Sequence, residues 1–197
     1  MNKFLKLAAI ILISSTSSLA ADYKIDPDHT KISFKVRHLG ISWVAGSFSK
    51  VDGAFSFDEK KISVSKARVE VEVDSIDTQN KKRDDHLKGE EFFASDKFST
   101  ISFASKEIKD VSGNKFTVVG DLTMHGVVKS VELAAEFTGA AKDPWGNERV
   151  AFTAEAALNR KDFGLQWSKV IETGALVVGE EVKISIEVEG IKSVIAH

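Results

Sequence analysis

Histidines give this chain its widest chemical range, because an imidazole can bind a metal or move a proton near neutral pH. His29 follows Asp28 just before a strand pattern, His38 ends that pattern, His86 lies in a polar segment, and His125 precedes a glycine. No two histidines are four residues apart, and none belongs to a cluster with metal-ligand spacing. The sequence therefore predicts no metal centre. The alternative is a site that the fold assembles from His29, His38 and His86.

Nucleophilic and phosphate chemistry find no support in the residue pattern. The chain has no cysteine and no G-x-S-x-G, so neither a thiol nucleophile nor the serine elbow of the hydrolases is present. A glycine-rich phosphate loop is also missing. The carboxylate pairs Asp84-Asp85 and Glu90-Glu91 are sequence neighbours in a polar segment, where solvated surface positions are expected. The sequence predicts that the protein is not an enzyme and has no cofactor.

The amino terminus has the features of a secretory signal peptide. Lys3 and Lys6 precede an apolar run over Leu7–Ile13, which is too short to span a bilayer, and small residues follow. Ser18 and Ala20 occupy the positions that favour cleavage after Ala20. We therefore expect residues 1–20 to be a signal peptide, residues 21–197 to form one domain, and the periplasm to be the location of the mature chain.

Charge and length limit the partners of the mature chain. The formal net charge is −2, and removing Lys3 and Lys6 makes it −4. The basic run Lys81–Arg83 is followed at once by Asp84 and Asp85, so a nucleic-acid surface is not expected. A chain of this length buries roughly 70% of its unfolded surface, which is enough for a stable core without disulfides.

The elements that must position these residues are mostly strands. Apolar and polar residues alternate with period two, as in half-buried strands. In the first pattern one face carries Ile32, Phe34, Val36 and His38. A parity change between Phe48 and Val51 predicts a bulge or bend in the second. With the later patterns, the count is about eight strands, the later ones covering residues 67–74, 101–104, 116–124, 127–137, 150–158 and 182–188.

The stretch Ser75–Phe93 interrupts this alternation. It is predominantly polar, Thr78 or Asn80 can cap a short helix, and Gly89 can end it. A single helix in an all-β chain is expected to plug, cover or brace the sheet. The phenylalanine pair that follows the helix is expected to enter a core or to line a cavity.

Antiparallel strands with one apolar face must close or stack to protect their edges, and the sequence predicts a closed eight-stranded all-β barrel. Such a barrel is just wide enough to be filled by side chains or to hold one small ligand. Small residues on the inward faces favour an internal space, and these are Gly53, Ala67, Gly120, Ala135, Ala154 and Ala156. The alternative is that the phenylalanines fill it.

Several motifs, in this order along the mature chain, resemble those of the YceI-like family. They are Asp28-His29-Thr30, Phe34-x-Val36-x-His38-x-Gly40, Gly46-x-Phe48, Arg83-Asp84-x-His86-Leu87-Lys88, Phe92-Phe93, Ile101-x-Phe103, Gly120-Asp121-Leu122-Thr123-Met124-His125-Gly126 and Arg160-x-Asp162-Phe163-Gly164. The sequence departs from the family at Phe98-Ser99, where tyrosine-proline is usual.

The resemblance implies a periplasmic, lipocalin-like antiparallel barrel with a helix near its opening. It also implies a long hydrophobic cavity for a polyisoprenoid, an isoprenoid quinone or a fatty-acid derivative. We expect the apolar tail to lie among Phe34, Val36, Phe55, Val71, Phe92, Phe103, Leu122, Phe152 and Ile184. The polar head is expected near His38, with further candidates at Arg83, His86 and Arg160.

Two other functions remain open on the sequence. A barrel with a solid core would suit an interaction module acting in envelope stress, and a metal or haem site would suit a redox accessory. Trp43, Trp145 and Trp167 fall in or near loops, where they could rim the cavity entrance, touch a membrane transiently, or be half-buried. The sequence also leaves a homodimer open.

Overall fold

The structure is a computed structural model, and it describes residues 20–62, 65–172 and 174–193. The predicted signal peptide, except for Ala20, and the last four residues of the predicted domain lie outside these ranges. Within them none of the helices is long and apolar enough to cross a membrane.

The described chain forms eleven strands and one α-helix. The strands are β1 (Ala21–Ile25), β2 (Lys31–His38), β3 (Ser42–Phe48), β4 (Val51–Phe57), β5 (Lys66–Glu72), β6 (Ile76–Asp77), β7 (Thr100–Ser112), β8 (Lys115–Met124), β9 (Val127–Lys142), β10 (Glu148–Asn159) and β11 (Val178–Lys192). The helix α1 is Lys81–Lys88, and short 3₁₀ turns cover Pro27–His29, Val73–Ser75 and Arg160–Phe163.

These strands close into a ring of eight positions, which confirms the predicted antiparallel barrel. Neighbouring strands pair in the order β1, β4, β5, β7, β8, β9, β10 and β11, and β11 pairs again with β1. In that last ladder Ile25 lies opposite Gly190. Each of these eight strands therefore has a partner on both sides, and a paired edge is less open to aggregation.

Three of the eight positions are broken strands. β1 and β2 share one position because both pair with β11, and the 3₁₀ turn Pro27–His29 separates them. β4 and β3 form the next position, and the break between Phe48 and Val51 confirms the predicted bend. β5 and β6 form the third. The predicted strand to Asp74 is wrong beyond Glu72, because the chain turns at Val73, whose N–H donates to Ser99 O.

The helix is fixed at both ends by the residues that the sequence indicated. Of the two predicted caps, Asn80 is the one that accepts from the Arg83 N–H, at 3.1 Å. Gly89 follows the last turn, and its N–H donates to His86 O. Thr78 has a different role, since its N–H and hydroxyl both donate to the buried Asp84 carboxylate.

The two ends of the barrel are built differently. We call one the aromatic end, because its buried cluster is rich in rings and contains Tyr23, Phe57, Ile62, Phe116, Ala135 and Val150. Short connections at Gly113 and at 143–147 join the long strands there. We call the other the arginine end, after Arg160. It holds α1, the turns at 39–41 and 125–126, and the segments 160–172 and 174–177.

Candidate functional site

A cavity of about 280 Å³ lies inside the barrel, between its two ends. Its wall is almost wholly apolar and receives side chains from strands all around the ring. Ligand pockets in proteins commonly measure about 300–1,000 Å³, so this cavity falls at the lower limit of that range. The barrel is therefore neither completely filled by its phenylalanines nor a wide channel.

Eight of the twelve residues predicted to bind a ligand lie on the cavity wall. They are Phe34, Phe55, Val71, Phe103, Leu122, Phe152, Arg160 and Ile184. The described wall does not include Val36, His38, His86 or Phe92. Contact of any of the twelve with a ligand stays a prediction, but the geometry brings together only the first eight.

The two neighbouring phenylalanines after α1 have different surroundings. Phe93 lines the cavity, and its ring centroid lies 6.1 Å from that of Phe48. Phe92 is buried against His86 and Trp167, with ring-centroid distances of 5.0 and 5.2 Å. The sequence prediction chose Phe92 for the ligand site, whereas the structure places Phe93 there. Neither helical nor strand periodicity could separate two adjacent aromatic residues in an irregular segment.

Some of the small inward residues do not leave space. A methyl group on Gly120 would clash with the Phe103 ring and with Ala104 O, so the ring already occupies the room above this glycine. The rings of Phe34 and Phe55 cover Gly46 and Gly190 in the same way. The open volume instead borders the alanines Ala67, Ala135 and Ala154. Ala156 lies on the same face of β10 as Ala154 but is not part of the described cavity wall.

Arg160 is a buried cation on this apolar wall, with 4% of its surface exposed. Its Nε donates to Gly179 O at 2.8 Å, its Nη2 to Val178 O at 3.2 Å, and its Nη1 to Leu165 O. Burial lowers the pKa of the guanidinium from its ordinary value, while Glu180 acts in the opposite direction. Glu180 itself is paired with Lys161 at 2.5 Å.

The bonding of Arg160 leaves it with unused capacity for an anion. A guanidinium has five N–H donors, and three of the Arg160 nitrogens bind neutral carbonyls. Carbonyl oxygens satisfy hydrogen bonds but carry no net charge. Among the described residues, no carboxylate is paired with Arg160 within 4 Å. A negatively charged or strongly polar ligand oxygen in the cavity would therefore be attracted to this group.

Arg83 and His86, the other predicted head-group residues, have structural partners elsewhere. Arg83 Nε donates to Thr78 Oγ1 at 2.7 Å, and Arg83 Nη2 donates to Thr78 O at 2.8 Å. His86 Nε2 lies 2.8 Å from Glu91 Oε2, and its ring packs edge-on against Trp167. Arg83 thus holds the segment before α1, and His86 joins an aromatic contact on the outside of the barrel.

Two other sequence motifs interlock at the arginine end. His125 adopts a positive φ of 51° and its Nδ1 lies 3.2 Å from Phe163 O. A side chain on Gly164 would approach His125 Nδ1 to 3.0 Å, so only glycine fits well. The Phe98 ring packs on His125 at 4.7 Å. His125 therefore joins the turn after β8 to the turn after β10.

The candidate metal donors in the described chain already surround a cation. Asp26, His29 and Glu189 come close enough to share an ion. Arg149 Nη1 lies 2.6 Å from Asp26 Oδ2 and 2.5 Å from Glu189 Oε1. The guanidinium therefore neutralises part of the negative charge of these two carboxylates. The predicted alternative of His29, His38 and His86 is not assembled, because the donor group found among the described residues includes neither His38 nor His86.

This ion cluster shifts the pKa values of Asp26, Asp143 and His29. Burial alone would raise the pKa of Asp26, but hydrogen bonds from Arg149 and His29 outweigh it and lower that pKa. Bonds from Asn147 and Arg149 likewise overcome burial and hold the pKa of Asp143 far below its ordinary value. The hydrogen bond to Asp26 raises the pKa of His29. The cluster pins the break between β1 and β2 to the loop 143–147.

A closed antiparallel eight-stranded barrel with an apolar cavity and a buried arginine in the cavity wall defines a class of small-ligand-binding barrels. The chain belongs to the YceI-like domain family, whose model matches residues 23–190. It is 41% identical over 191 residues to a UPF0312 protein of Pectobacterium carotovorum, covering 95% of this chain and 96% of that one.

Solved structures show the same fold. BcnA of Burkholderia cenocepacia matches with a TM-score of 0.74 and 22% identity, over 84% of this chain and 98% of that chain. A polyisoprenoid binding domain from Saccharophagus degradans matches with a TM-score of 0.66 and 14% identity, over 89% and 99%. At these identities the likeness extends to the fold alone.

Proposed function

We propose that this protein is a periplasmic, non-catalytic binding protein for a long amphiphilic isoprenoid or fatty-acid derivative. The observation that carries the proposal is the apolar cavity inside the barrel, with Arg160 buried in its wall. The family membership and the polyisoprenoid-binding structural relative support the same ligand class. The export pattern of residues 1–20 supports the location.

The energetics favour a long tail over a short one. Each buried methylene contributes about 0.8 kcal/mol, and association costs on the order of 4–15 kcal/mol before any net affinity remains. A chain of six carbons would barely offset that cost, whereas a dozen buried carbons would contribute about 10 kcal/mol. A strand of ten residues tilted by about 40° spans roughly 25 Å, which matches the length of an acyl or prenyl chain.

The ligand head is proposed to lie at Arg160, with the tail directed toward the aromatic end. A carboxylate, phosphate or quinone oxygen can accept from the guanidinium, which is held rigidly by three backbone carbonyls. The arginine end is also the proposed entrance, because irregular segments cover it. Such segments can separate without breaking the strand ladders of the barrel.

The first experiment is to purify the protein from the periplasm without detergent, extract it with organic solvent and identify the extract by mass spectrometry. We expect a near-stoichiometric prenyl, quinone or fatty-acyl compound. An empty extract from a folded protein whose native mass equals that of the polypeptide would contradict the proposal. It would favour the solid-core interaction module instead.

A cavity-filling variant tests the location of the ligand. Ala154 lines the cavity beside Ala135, its paired neighbour on β9. Ala154→Trp should therefore displace the tail and abolish co-purification of the lipid. The control is Ala157→Trp, because Ala157 lies on the same strand but on its exposed outer face. Ala67→Phe provides a second filling variant if the tryptophan unfolds the barrel. Full occupancy in a folded Ala67→Phe or Ala154→Trp protein would contradict the placement.

A further inference from the structure

The outer surface near the β2–β3 hairpin carries an exposed tryptophan with three cations around it. Arg37 Cζ lies 4.1 Å from the Trp43 ring centroid, Lys35 Nζ 5.4 Å and Lys183 Nζ 5.6 Å. Trp43 is 38% exposed, and Ile41 at the hairpin tip is 80% exposed. We call these five residues the Trp43 patch.

The patch is positive on a chain whose formal net charge is −2. Three cations around one ring repel one another, and within the described ranges the carboxylate paired with them is Glu181, whose Oε1 is 4.0 Å from Lys183 Nζ. A dense anionic surface would relieve this repulsion. The rest of the chain is net negative and would be repelled by the same anionic surface. The protein would therefore approach that surface with the patch facing it.

The chemistry of the patch suits an anionic bilayer better than a single small ligand. Tryptophan is enriched where water meets lipid, because its ring is apolar and its N–H is polar. Basic side chains near an anionic membrane each add about 1 kcal/mol of attraction, which is a factor of about five in binding. Ile41 at the tip supplies an aliphatic group that can enter the acyl boundary.

The patch and the proposed head-group site lie on opposite sides of one short strand segment. A side chain on Gly179 would meet Arg37 Cβ at 3.2 Å on the outer surface. On the inside, the carbonyl of that same Gly179 accepts from Arg160 Nε. The hairpin is also tied to the arginine end, since Leu39 N donates to Val177 O at 3.1 Å.

We propose that the Trp43 patch docks the protein on an anionic phospholipid bilayer with its arginine end toward the lipid. The inference depends on the proposed function for its purpose, because docking there places the cavity entrance where an amphiphile leaves the membrane. The aromatic end then faces away from the bilayer.

The test is co-sedimentation of the purified protein with phosphatidylglycerol–phosphatidylethanolamine vesicles, compared with phosphatidylcholine vesicles. We expect binding to the anionic vesicles that falls as salt increases. Trp43→Ser should weaken binding several-fold, and Lys35→Gln with Lys183→Gln should weaken it about 25-fold. The matched control is Trp145→Ser, since Trp145 is 81% exposed but lies at the aromatic end.

The outcomes separate docking from ligand binding. Ala154→Trp should lose its lipid yet still sediment with anionic vesicles, whereas the patch variants should keep ligand capacity yet sediment poorly. A folded protein that does not sediment with anionic vesicles would overturn the proposal and favour an acidic protein as the partner. Equal binding by the Trp43, lysine and Trp145 variants, or equal binding to both vesicle types, would also overturn it.

Discussion

The aromatic end and the arginine end of the barrel are filled and covered in different ways. At the aromatic end, Phe152 contacts four other rings, with centroids 4.8–6.3 Å apart, and short hairpin turns join the strands. At the arginine end, irregular segments converge on one buried cation held by backbone carbonyls. The first end is built for stability, and the second combines packing with a polar group that a ligand can use.

The largest effect is expected from emptying the aromatic end. Phe57 is 5% exposed and lies 4.8 Å from Phe152 and 5.0 Å from Phe137. Phe57→Ala should lower the free energy of unfolding by about 3–5 kcal/mol, because it leaves a cavity among rings that cannot collapse around it. Denaturant unfolding measures the change, and Trp145→Ala serves as an exposed aromatic control. A loss below about 1 kcal/mol would show that this end is not the stability core.

The next effect tests whether the arginine end has a polar role. Arg160→Met should destabilise the protein by about 2–3 kcal/mol, because it leaves buried carbonyls unpaired. It should also reduce the affinity for ligands with an anionic or quinone head more than for a plain alkyl chain. Arg160→Lys keeps the charge but not the fork of donors, so it separates charge from geometry. Equal loss of affinity for both ligand types would reduce Arg160 to a structural clamp.

A smaller effect is expected where the two ends meet. Gly120→Ala should cost about 1–3 kcal/mol of stability, since its methyl group would overlap the Phe103 ring and Ala104 O. Phe103→Leu in the same chain should recover part of the loss, because the smaller side chain makes room. Thermal or denaturant unfolding of the two single variants and the double variant measures this coupling. Additive losses would mean that the contact is not tight.

The smallest effect concerns the pH dependence of stability and involves the ion cluster on the outside of the aromatic end. The pKa values of Asp26 and Asp143 are lowered on folding, so their contribution is present above the ordinary value of 3.8 and is lost as the pH falls through the folded values. His29 has a raised pKa, so its part is complete below 6.5 and is lost as the pH rises. Unfolding free energies from pH 8 to 2 should therefore fall less steeply in acid for Arg149→Met than for the wild type. Parallel curves would contradict this assignment.

Most of the barrel follows from local patterns, but the site residues follow only in part. Alternation correctly placed Phe34 and Ile184 inward, and the parity change at Phe48 marked a real break. The short strand β1 went unrecognised, although Tyr23 and Ile25 alternate with charged residues, because it immediately follows the predicted cleavage site. The carbonyl partners of Arg160 come from residues 5–19 positions away along the chain. They belong to irregular segments, where the alternation of apolar and polar residues predicts no structure.

The closing ladder brings the first and last strands of the ring side by side. Tyr23 lies opposite Lys192, and Ser193 N donates to Asp22 O at 2.8 Å. A circularly permuted chain, joined by a short linker between residues 21 and 193 and reopened at Gly113-Asn114, would keep every ladder of the ring. Positions this close in space can be joined by a short linker, which is the usual condition for tolerated permutation. Barrel closure would then depend on which strands are neighbours in space, and not on the order of the strands along the chain.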